Sequence, residues 1–195
     1  HIPKHWEIKR LKDAVSCNDD VLPENLNANS TIQYIEISDV DSNKGITNVS
    51  KISFGEAPSR ARRITKKGDI VVSTVRTYLK AIATIHENDL IVSTGFAVLR
   101  PNHTIISRFL HYAILNEYVL DDIIKNSTGV SYPAIQSSKL IAMPIPLPPL
   151  SEQEKIARYL DTKVGEIDQK VSLIEKKIER YQLLKKAIIN KVITK

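Results

Sequence analysis

Residues 144–154 read Pro-Ile-Pro-Leu-Pro-Pro-Leu followed directly by Ser-Glu-Gln-Glu. The four prolines of this stretch cannot continue a helix or lie inside a sheet, so residues 144–150 are predicted to form an extended connector. Ser151 and Glu154 have the spacing of a capping box, in which the serine hydroxyl caps the third helical amide and the glutamate reaches back. A helix is therefore expected to begin where the connector ends.

The sequence after the connector predicts one long helix. It contains no proline and a single glycine, Gly165. Apolar residues alternate at steps of three and four from Leu160 to Tyr181, which is the spacing of a coiled-coil seam, and the alternation slips after Tyr181. Such a helix would extend about 65 Å at ~1.5 Å per residue and needs another long helix as its partner. The predicted seam comprises Leu160, Val164, Ile167, Val171, Ile174, Ile178, Tyr181 and Ile188.

The sequence before the connector predicts a mixed domain. Runs rich in branched residues at 69–75, 81–85 and 90–93 indicate strands, and residues 105–124 have the three- and four-residue apolar steps of a buried helix face. The predicted fold class is α+β. A globular mixed α/β domain over residues 1–143 is followed by the connector over 144–150 and the coiled-coil helix over 151–195.

Composition limits the possible functions. The net charge of +6 and the pI of about 9.3 favour a polyanionic partner. Cys17 is the only cysteine, which excludes an intrachain disulfide and fits a reducing cytoplasm. No apolar run is long enough to cross a bilayer, so no membrane association is expected. The chain opens on His1 rather than Met, and it is expected to be processed, trimmed or part of a longer protein.

No pattern of catalytic residues is found. The histidines lack metal-ligand spacing, the glycines form no phosphate-binding loop, and no nucleophile elbow occurs. Asp69 leads into an apolar strand without the acid-x-Lys pattern of a metal-dependent nuclease. We therefore interpret the chain as a binding module with no catalytic residue, no metal site and no cofactor of its own.

Three basic or hydroxyl-rich segments are candidate DNA contacts. They are the predicted loop from Ser59 to Lys67, the strand-to-turn segment from Ser73 to Lys80, and the loop from Ser127 to Tyr132. Arginine can hydrogen-bond two guanine edge atoms at once, while lysine and hydroxyl groups hold phosphates. Ordinary polar turns with solubilising charge would read the same way. The candidate residues are Ser59, Arg60, Arg62, Arg63, Lys66, Arg76, Thr77, Tyr78, Lys80, Ser127, Thr128, Gly129, Ser131 and Tyr132.

The chain resembles a known family over nearly its whole length. The most specific part is Pro146-Leu-Pro-Pro-Leu-Ser-Glu-Gln-Glu-Lys-Ile156, which is similar to the signature of the specificity subunits of type I restriction-modification systems. The opening run from Ile2 to Leu11 resembles the start of their target recognition domains. The middle is similar at Gly68–Arg76, Ser93–Arg100 and Gly129–Ile135.

The resemblance implies a function as well as a fold. Members of this family use a target recognition domain to read one half of a split site in double-stranded DNA, inside the prokaryotic cytoplasm. Their long helices act as spacers and dock the methyltransferase subunits, which bring S-adenosylmethionine. Restriction subunits, joined through the methyltransferase, bring ATP- and Mg-dependent translocation and cleavage. None of those cofactors is expected on this chain.

The chain departs from the family in length. A typical member has two recognition domains and two long helices packed antiparallel, whereas this chain has one of each. It is expected to be a half-subunit that pairs with itself or half of a longer protein. A symmetric homodimer through the long helix predicts an inverted-repeat site. A coiled-coil adaptor without DNA specificity and a nuclease with an unrecognised metal site remain as alternatives.

Overall fold

A computed structural model describes residues 2–193 of the chain. It divides into two compact units, one ending at Glu154 and one beginning at Lys155. The strands are β1 (Glu7–Arg10), β2 (Val15–Cys17), β3 (Thr31–Ile35), β4 (Val40–Asp41), β5 (Gly45–Ile46), β6 (Ser50–Ser53), β7 (Ala61–Ile64), β8 (Ile70–Ser73), β9 (Ile82–Thr84), β10 (Ile91–Ser93), β11 (Phe96–Pro101) and β12 (Pro144–Leu147). The helices are α1 (Ser107–Leu115), α2 (Glu117–Lys125), α3 (Ser137–Ile141) and α4 (Leu150–Ile193).

Two four-stranded sheets form the centre of the first unit. One has the order β6-β3-β10-β7, in which β3 and β10 run parallel and the other neighbours antiparallel. The other has the order β2-β11-β8-β9 and is antiparallel throughout. One buried apolar cluster takes side chains from both sheets, among them Ile35, Val92, Val71 and Phe96. Helix α1 packs on strands of the second sheet, so that sheet is covered on both faces and its strands read as continuous apolar runs.

The predicted strands at 69–75, 81–85 and 90–93 are confirmed as β8, β9 and β10. The single helix expected over residues 105–124 is instead two helices, α1 and α2. Asn116 has extended backbone angles, φ −61° and ψ 133°, and its side chain accepts a hydrogen bond from the amide of Tyr118. Asparagine at this position favours an N-cap, which starts a new helix and breaks the old one.

The expectation that the proline-rich segment lies outside any sheet is wrong. Pro144–Leu147 forms β12, which pairs antiparallel with β1, Ile8 facing Pro146 and Lys9 facing Ile145. A two-stranded ladder tolerates proline because alternate residues of an antiparallel strand do not donate to the partner. The segment is extended, as predicted, but its pairing with β1 joins the end of the first unit to its start.

Helix α4 begins one residue before the predicted cap. The carbonyl of Pro149 accepts hydrogen bonds from the amides of Glu152 and Gln153, so Ser151 lies inside the first turn and the predicted capping box is wrong. Gln153 is fully buried. Its side chain accepts from the amide of Ile106 and donates to the carbonyls of Thr104 and Pro148, each at 2.9 Å. This buried amide ties the first turn of α4 to the globular unit.

An ion network links Arg100, on strand β11, to Asp69, which directly precedes β8, and to Asp20. Arg100 on β11 donates Nε and Nη2 to the two carboxylate oxygens of Asp69 at 3.0 and 2.9 Å, and Nη1 to Asp20 at 2.7 Å. The Asp69 side chain is only 2% exposed. Paired acceptors on a forked guanidinium are the strongest protein hydrogen bonds.

The long helix exposes its apolar residues. Along the predicted seam, Leu160 is half-buried, while Val164, Ile167, Val171, Ile174, Ile178, Tyr181 and Ile188 are between 39% and 59% exposed. The helix predicted over residues 151–195 is confirmed over Leu150–Ile193, and its last two residues lie outside the described part of the chain.

Candidate nucleic-acid interface

The candidate segment from Ser73 to Lys80 forms a loop directly after strand β8. Residues 77–79 form a short 3-10 turn, flanked by Arg76 and Lys80 with φ values of +54° and +51°. Left-handed backbone costs a residue with a side chain on the order of 1 kcal/mol, and it persists only where surrounding contacts impose it. The prediction that a strand runs into a turn here is confirmed. The turn places Arg76 and Tyr78 at the surface, with Tyr78 53% exposed.

The candidate loop from Ser127 to Tyr132 is closed by backbone hydrogen bonds. Thr128 and Ala134 exchange two amide-to-carbonyl hydrogen bonds of 2.9 Å. Gly129 has φ +108°, and a Cβ there would lie 3.1 Å from the carbonyl oxygen of Tyr132, so the tight turn requires glycine. Val130, Ser131 and Tyr132 are exposed at the tip.

The two loops are joined into one surface. The amide of Arg76 donates to the carbonyl of Pro133 at 2.8 Å, and the amide of Ile135 donates to the carbonyl of Thr74 at 2.9 Å. The hydroxyls of Thr77 and Ser127 lie 2.8 Å apart. We call residues 74–80 together with 127–135 the two-loop platform. Its backbone is fixed on both sides before any ligand binds.

A groove of about 370 Å³ borders the platform. The Arg76 guanidinium carbon lies 4.7 Å from the centre of the Tyr132 ring, a cation–π contact that orients its fork. Arg60 donates to Glu36 Oε1 from Nη2 at 2.6 Å and from Nε at 3.2 Å. These hydrogen bonds raise the pKa of Arg60 above its ordinary value. The groove is lined by Glu36, Ile37, Ser38, Arg60, Val75, Arg76, Leu79, Ser93, Thr94, Gly95 and Tyr132.

This arrangement combines the chemical groups that read base edges. A guanidinium donates to guanine O6 and N7, and a carboxylate accepts from the cytosine amino group. Exposed aromatic rings offer flat faces for unpaired bases or sugars. Arg76, Arg60, Glu36 and Tyr132 supply these groups around one groove.

Three predicted site residues lie elsewhere. Arg62 and Arg63 belong to β7 and are half-buried, so the prediction of a loop from Ser59 to Lys67 is wrong over Ala61–Ile64. The Arg62 guanidinium lies 5.3 Å from the Phe54 ring centre, and burial lowers the pKa of Arg63. Lys66 Nζ lies 3.4 Å from Asp20. Arg62 Nη1 and Arg63 Nε are buried without a hydrogen-bond partner.

The other predicted residues separate into support and surface. Thr77 is 3% exposed, and Ser127 donates its hydroxyl to the carbonyl of Ile123 at 2.7 Å, so both hold the platform together. Thr128 and Gly129 shape the second loop. Ser59 and Ser131 are exposed, and Lys80 is half-buried at the end of the first loop.

Sequence reasoning missed Glu36 and the turn at 93–95. Glu36 follows β3, and it reaches the groove only because β3 pairs with β10, more than fifty residues later in the chain. A lone glutamate between two isoleucines carries no local signal of such a role.

Neither a metal-binding cluster nor a membrane-spanning helix is present among residues 2–193. No group of three or more histidine, cysteine, aspartate or glutamate side chains could hold a metal ion there. No helix among them is both long and apolar enough to cross a membrane.

Relatives of known type match most of the chain. A putative type I restriction enzyme MjaX specificity subunit from Methanocaldococcus jannaschii is 28% identical over 207 residues, covering 100% of this chain and 47% of that protein. The HindI specificity subunit of Haemophilus influenzae is 28% identical over 154 residues, covering 75% of this chain and 32% of that protein. The chain thus spans half or less of the length of these relatives.

Solved structures agree with the sequence relatives. The HsdS subunit from Thermoanaerobacter tengcongensis superimposes with a TM-score of 0.79 at 28% identity, covering 98% of this chain and 50% of that one. A chain from a study of complex assembly and conformational transition in a type I R-M system gives a TM-score of 0.85 at 28% identity and the same coverage. Residues 3–180 match the family described as type I restriction modification DNA specificity domain. The chain belongs to this family.

Proposed function

We propose that the chain recognises DNA sequence as half of a specificity subunit and performs no catalysis itself. The observation that carries this proposal is the two-loop platform, whose backbone is held on both sides and whose Arg76 fork is oriented by Tyr132. A reader of base edges needs donors in fixed positions, because a mobile arginine would lose conformational entropy on binding. Membership of the DNA specificity family supports the same conclusion.

Within the platform the roles follow from exposure and chemistry. Arg76 is the base-reading residue, since its guanidinium is exposed and oriented. Tyr78, Ser131 and Tyr132 contact sugar or phosphate from the loop tips. Lys80 adds positive charge beside them, and Arg60 lies in the groove in its ion pair with Glu36. Arg62, Arg63 and Lys66 are not part of this surface.

The long helix supplies assembly. A seam of apolar residues with more than a third of each side chain exposed is costly in water unless a second helix covers it. A second copy of the chain pairs along this seam in a homodimer, giving two identical domains that read an inverted-repeat site. The helices also dock methyltransferase subunits, which bring S-adenosylmethionine, and through them restriction subunits that bring ATP and Mg.

Salt dependence of DNA binding tests this proposal against a coiled-coil adaptor. Affinity of the purified chain for duplex DNA should fall at least about tenfold between 50 and 200 mM salt, because phosphate contacts release counterions. The Lys80→Ala variant should lower the slope of log K against log salt by about one. Absence of duplex binding at 50 mM salt, or affinity that ignores salt, would overturn the proposal and favour the adaptor.

A further inference from the structure

The Glu36 carboxylate is held on one oxygen. Arg60 donates Nη2 and Nε to Oε1 at 2.6 and 3.2 Å, and the Tyr34 hydroxyl donates to the same oxygen at 3.2 Å. The other oxygen, Oε2, receives none of these three hydrogen bonds. The Glu36 side chain is 31% exposed and lines the groove beside the two-loop platform. Because an ionised carboxylate only accepts hydrogen bonds, Oε2 offers an acceptor to a molecule that enters this groove.

The Arg100–Asp69 pair shows the alternative geometry within the same chain. There the guanidinium bonds both carboxylate oxygens, one from Nε and one from Nη2, and the carboxylate is only 2% exposed. Such a fork-to-fork pair is the stronger arrangement. The exposed Arg60–Glu36 pair lacks it and therefore contributes little to stability. Its one-sided geometry suits a carboxylate that keeps one acceptor for a ligand.

The turn around Gly95 ties the backbone at Glu36 to the two-loop platform. Gly95 lies against Ile37, the residue after Glu36, and a Cβ on this glycine would lie 2.7 Å from Ile37 Cδ1. The carbonyl of Gly95 accepts hydrogen bonds from the amide and the hydroxyl of Thr74, the first platform residue, at 2.8 and 2.9 Å. The carboxylate and the platform are therefore held by one turn.

Arg60 also makes a carboxylate acceptable in a groove that faces DNA. Phosphates carry the negative charge of the duplex and would repel an unpaired carboxylate. The Arg60 guanidinium, 2.6 Å from Glu36, supplies the compensating positive charge. The pair can therefore approach a duplex without net negative charge.

The chemistry of a carboxylate oxygen selects cytosine among the four bases. In the major groove, cytosine presents the hydrogen-bond donor of its amino group, whereas thymine and guanine present carbonyl oxygens. Adenine presents the acceptor N7 beside its amino group, and this pattern is matched by the side-chain amide of Asn or Gln. An oxygen that only accepts is therefore best matched by cytosine.

We propose that Glu36 reads one cytosine of the half-site that this chain binds, with Oε2 accepting a hydrogen bond from the cytosine amino group. Arg60 and Tyr34 are positioning residues, because they bond Oε1 and leave Oε2 to the base. The inference rests on the proposed function, since it needs the groove to face duplex DNA. It adds a base-reading residue and the base that this residue selects.

Glu36→Gln tests the assignment because it exchanges an acceptor for a donor. Arg60 and Tyr34 both donate to Oε1, so the glutamine carbonyl oxygen takes that position and its amino group takes the position of Oε2. The variant should therefore prefer thymine, whose O4 accepts, where the unsubstituted chain requires cytosine. Glu87→Gln is the matched control, since Glu87 is exposed between β9 and β10 and is not among the residues that line the groove.

The full chain is co-expressed with its cognate methyltransferase subunit, and the methylated motif is mapped for each variant. Fluorescence anisotropy then measures affinity for duplexes in which each cytosine of the half-site is replaced in turn by thymine or by 2-pyrimidinone, which is cytosine without its amino group. Loss of the amino group at one position should weaken binding of the unsubstituted chain about tenfold. E36Q should bind thymine there about fivefold more tightly than cytosine, and E87Q should behave as the unsubstituted chain does.

Each other outcome overturns the inference in a recognisable way. If E36Q keeps the same motif and base preferences, or weakens binding to all duplexes equally, Glu36 shapes the groove without reading a base and the proposed function stands. If the preference changes at an adenine, the carboxylate reads the adenine amino group. The 2-pyrimidinone measurement needs no variant, so it decides the question even if E36Q does not fold. If the unsubstituted chain neither binds duplex nor directs methylation, the proposed function itself fails.

Discussion

The globular unit and the long helix differ in how their side chains are satisfied. In the unit ending at Glu154, Arg100 meets the carboxylates of Asp69 and Asp20, and Gln153 is buried with all its polar atoms bonded. Along the helix, from Val164 to Ile193, the large apolar side chains are between 39% and 76% exposed. The polar side chains named in the first region are bonded within it, whereas the second leaves its large apolar side chains exposed. The recognition and assembly proposed above would therefore lie in separate parts of the sequence.

The largest expected effect is on the stability of the globular unit. Arg100→Gln leaves the buried Asp69 carboxylate without its bidentate partner, and breaking such a pair costs about 3–5 kcal/mol. Urea unfolding of the globular unit should show this loss. Arg60→Gln, which breaks an exposed pair, should change stability by less than about 1 kcal/mol. If the two variants lowered the free energy of unfolding equally, the buried Arg100–Asp69 pair would contribute no more than the exposed Arg60–Glu36 pair.

The next largest effect is expected from a substitution in the long helix, and it should alter self-association without altering the globular unit. Ile174→Asp places a charge in the seam and should weaken self-association about 100-fold, measured by sedimentation equilibrium. Unfolding of the globular unit should not change. Ser172→Asp adds the same charge two residues away from it, outside the seam, and should leave self-association nearly intact. A chain whose mass ignores Ile174→Asp does not pair through this seam.

A smaller effect sharpens the role of the platform. Arg76→Ala should weaken binding to a target duplex by about 2 kcal/mol, roughly 30-fold, because one bidentate base contact is lost. Tyr132→Ala should give part of that loss, since the ring orients the guanidinium. Fluorescence anisotropy measures both, with Lys12→Ala as the control for loss of one exposed charge. Unchanged affinity and specificity in Arg76→Ala would remove this residue from the interface.

The smallest effect concerns pH. Hydrogen bonding from Arg100, with a further contribution from Lys66, holds the pKa of Asp20 below its ordinary value of 3.8. The stability gained from this carboxylate is therefore present above pH 3.8 and is lost as pH falls through the lower pKa of the folded state. Urea unfolding between pH 5 and pH 2 should show less pH dependence in Asp20→Asn. Identical slopes would assign the acid sensitivity to other groups.

The sequence predicted those parts of the fold that depend on local patterns. Strands β8, β9 and β10 are apolar runs because they are buried, and the long helix has heptad spacing from Leu160 to Tyr181. The errors arise where distant segments meet. Pro144–Leu147 became a strand through pairing with residues 7–10, and Arg62 and Arg63 joined β7 through pairing with β10.

The candidate site shows the same limit. The turn at 74–80 was predictable because it directly follows a strong strand signal. Glu36 was not, because its place beside Arg60 depends on how β3, β10 and β7 align. The loop at 74–80 can be predicted from local sequence, whereas its position beside Glu36 depends on the pairing of the strands.

A methylation map tests the central claim most directly. The chain would be co-expressed with its methyltransferase subunit in a host without adenine methylation, and N6-methyladenine would be mapped across the genome. The account predicts a split motif with two inverted, identical halves that disappears when the chain is omitted and is weakened or relaxed by Arg76→Ala. An assembled complex that produces no new methylation, or methylates the same sites without this chain, would contradict it.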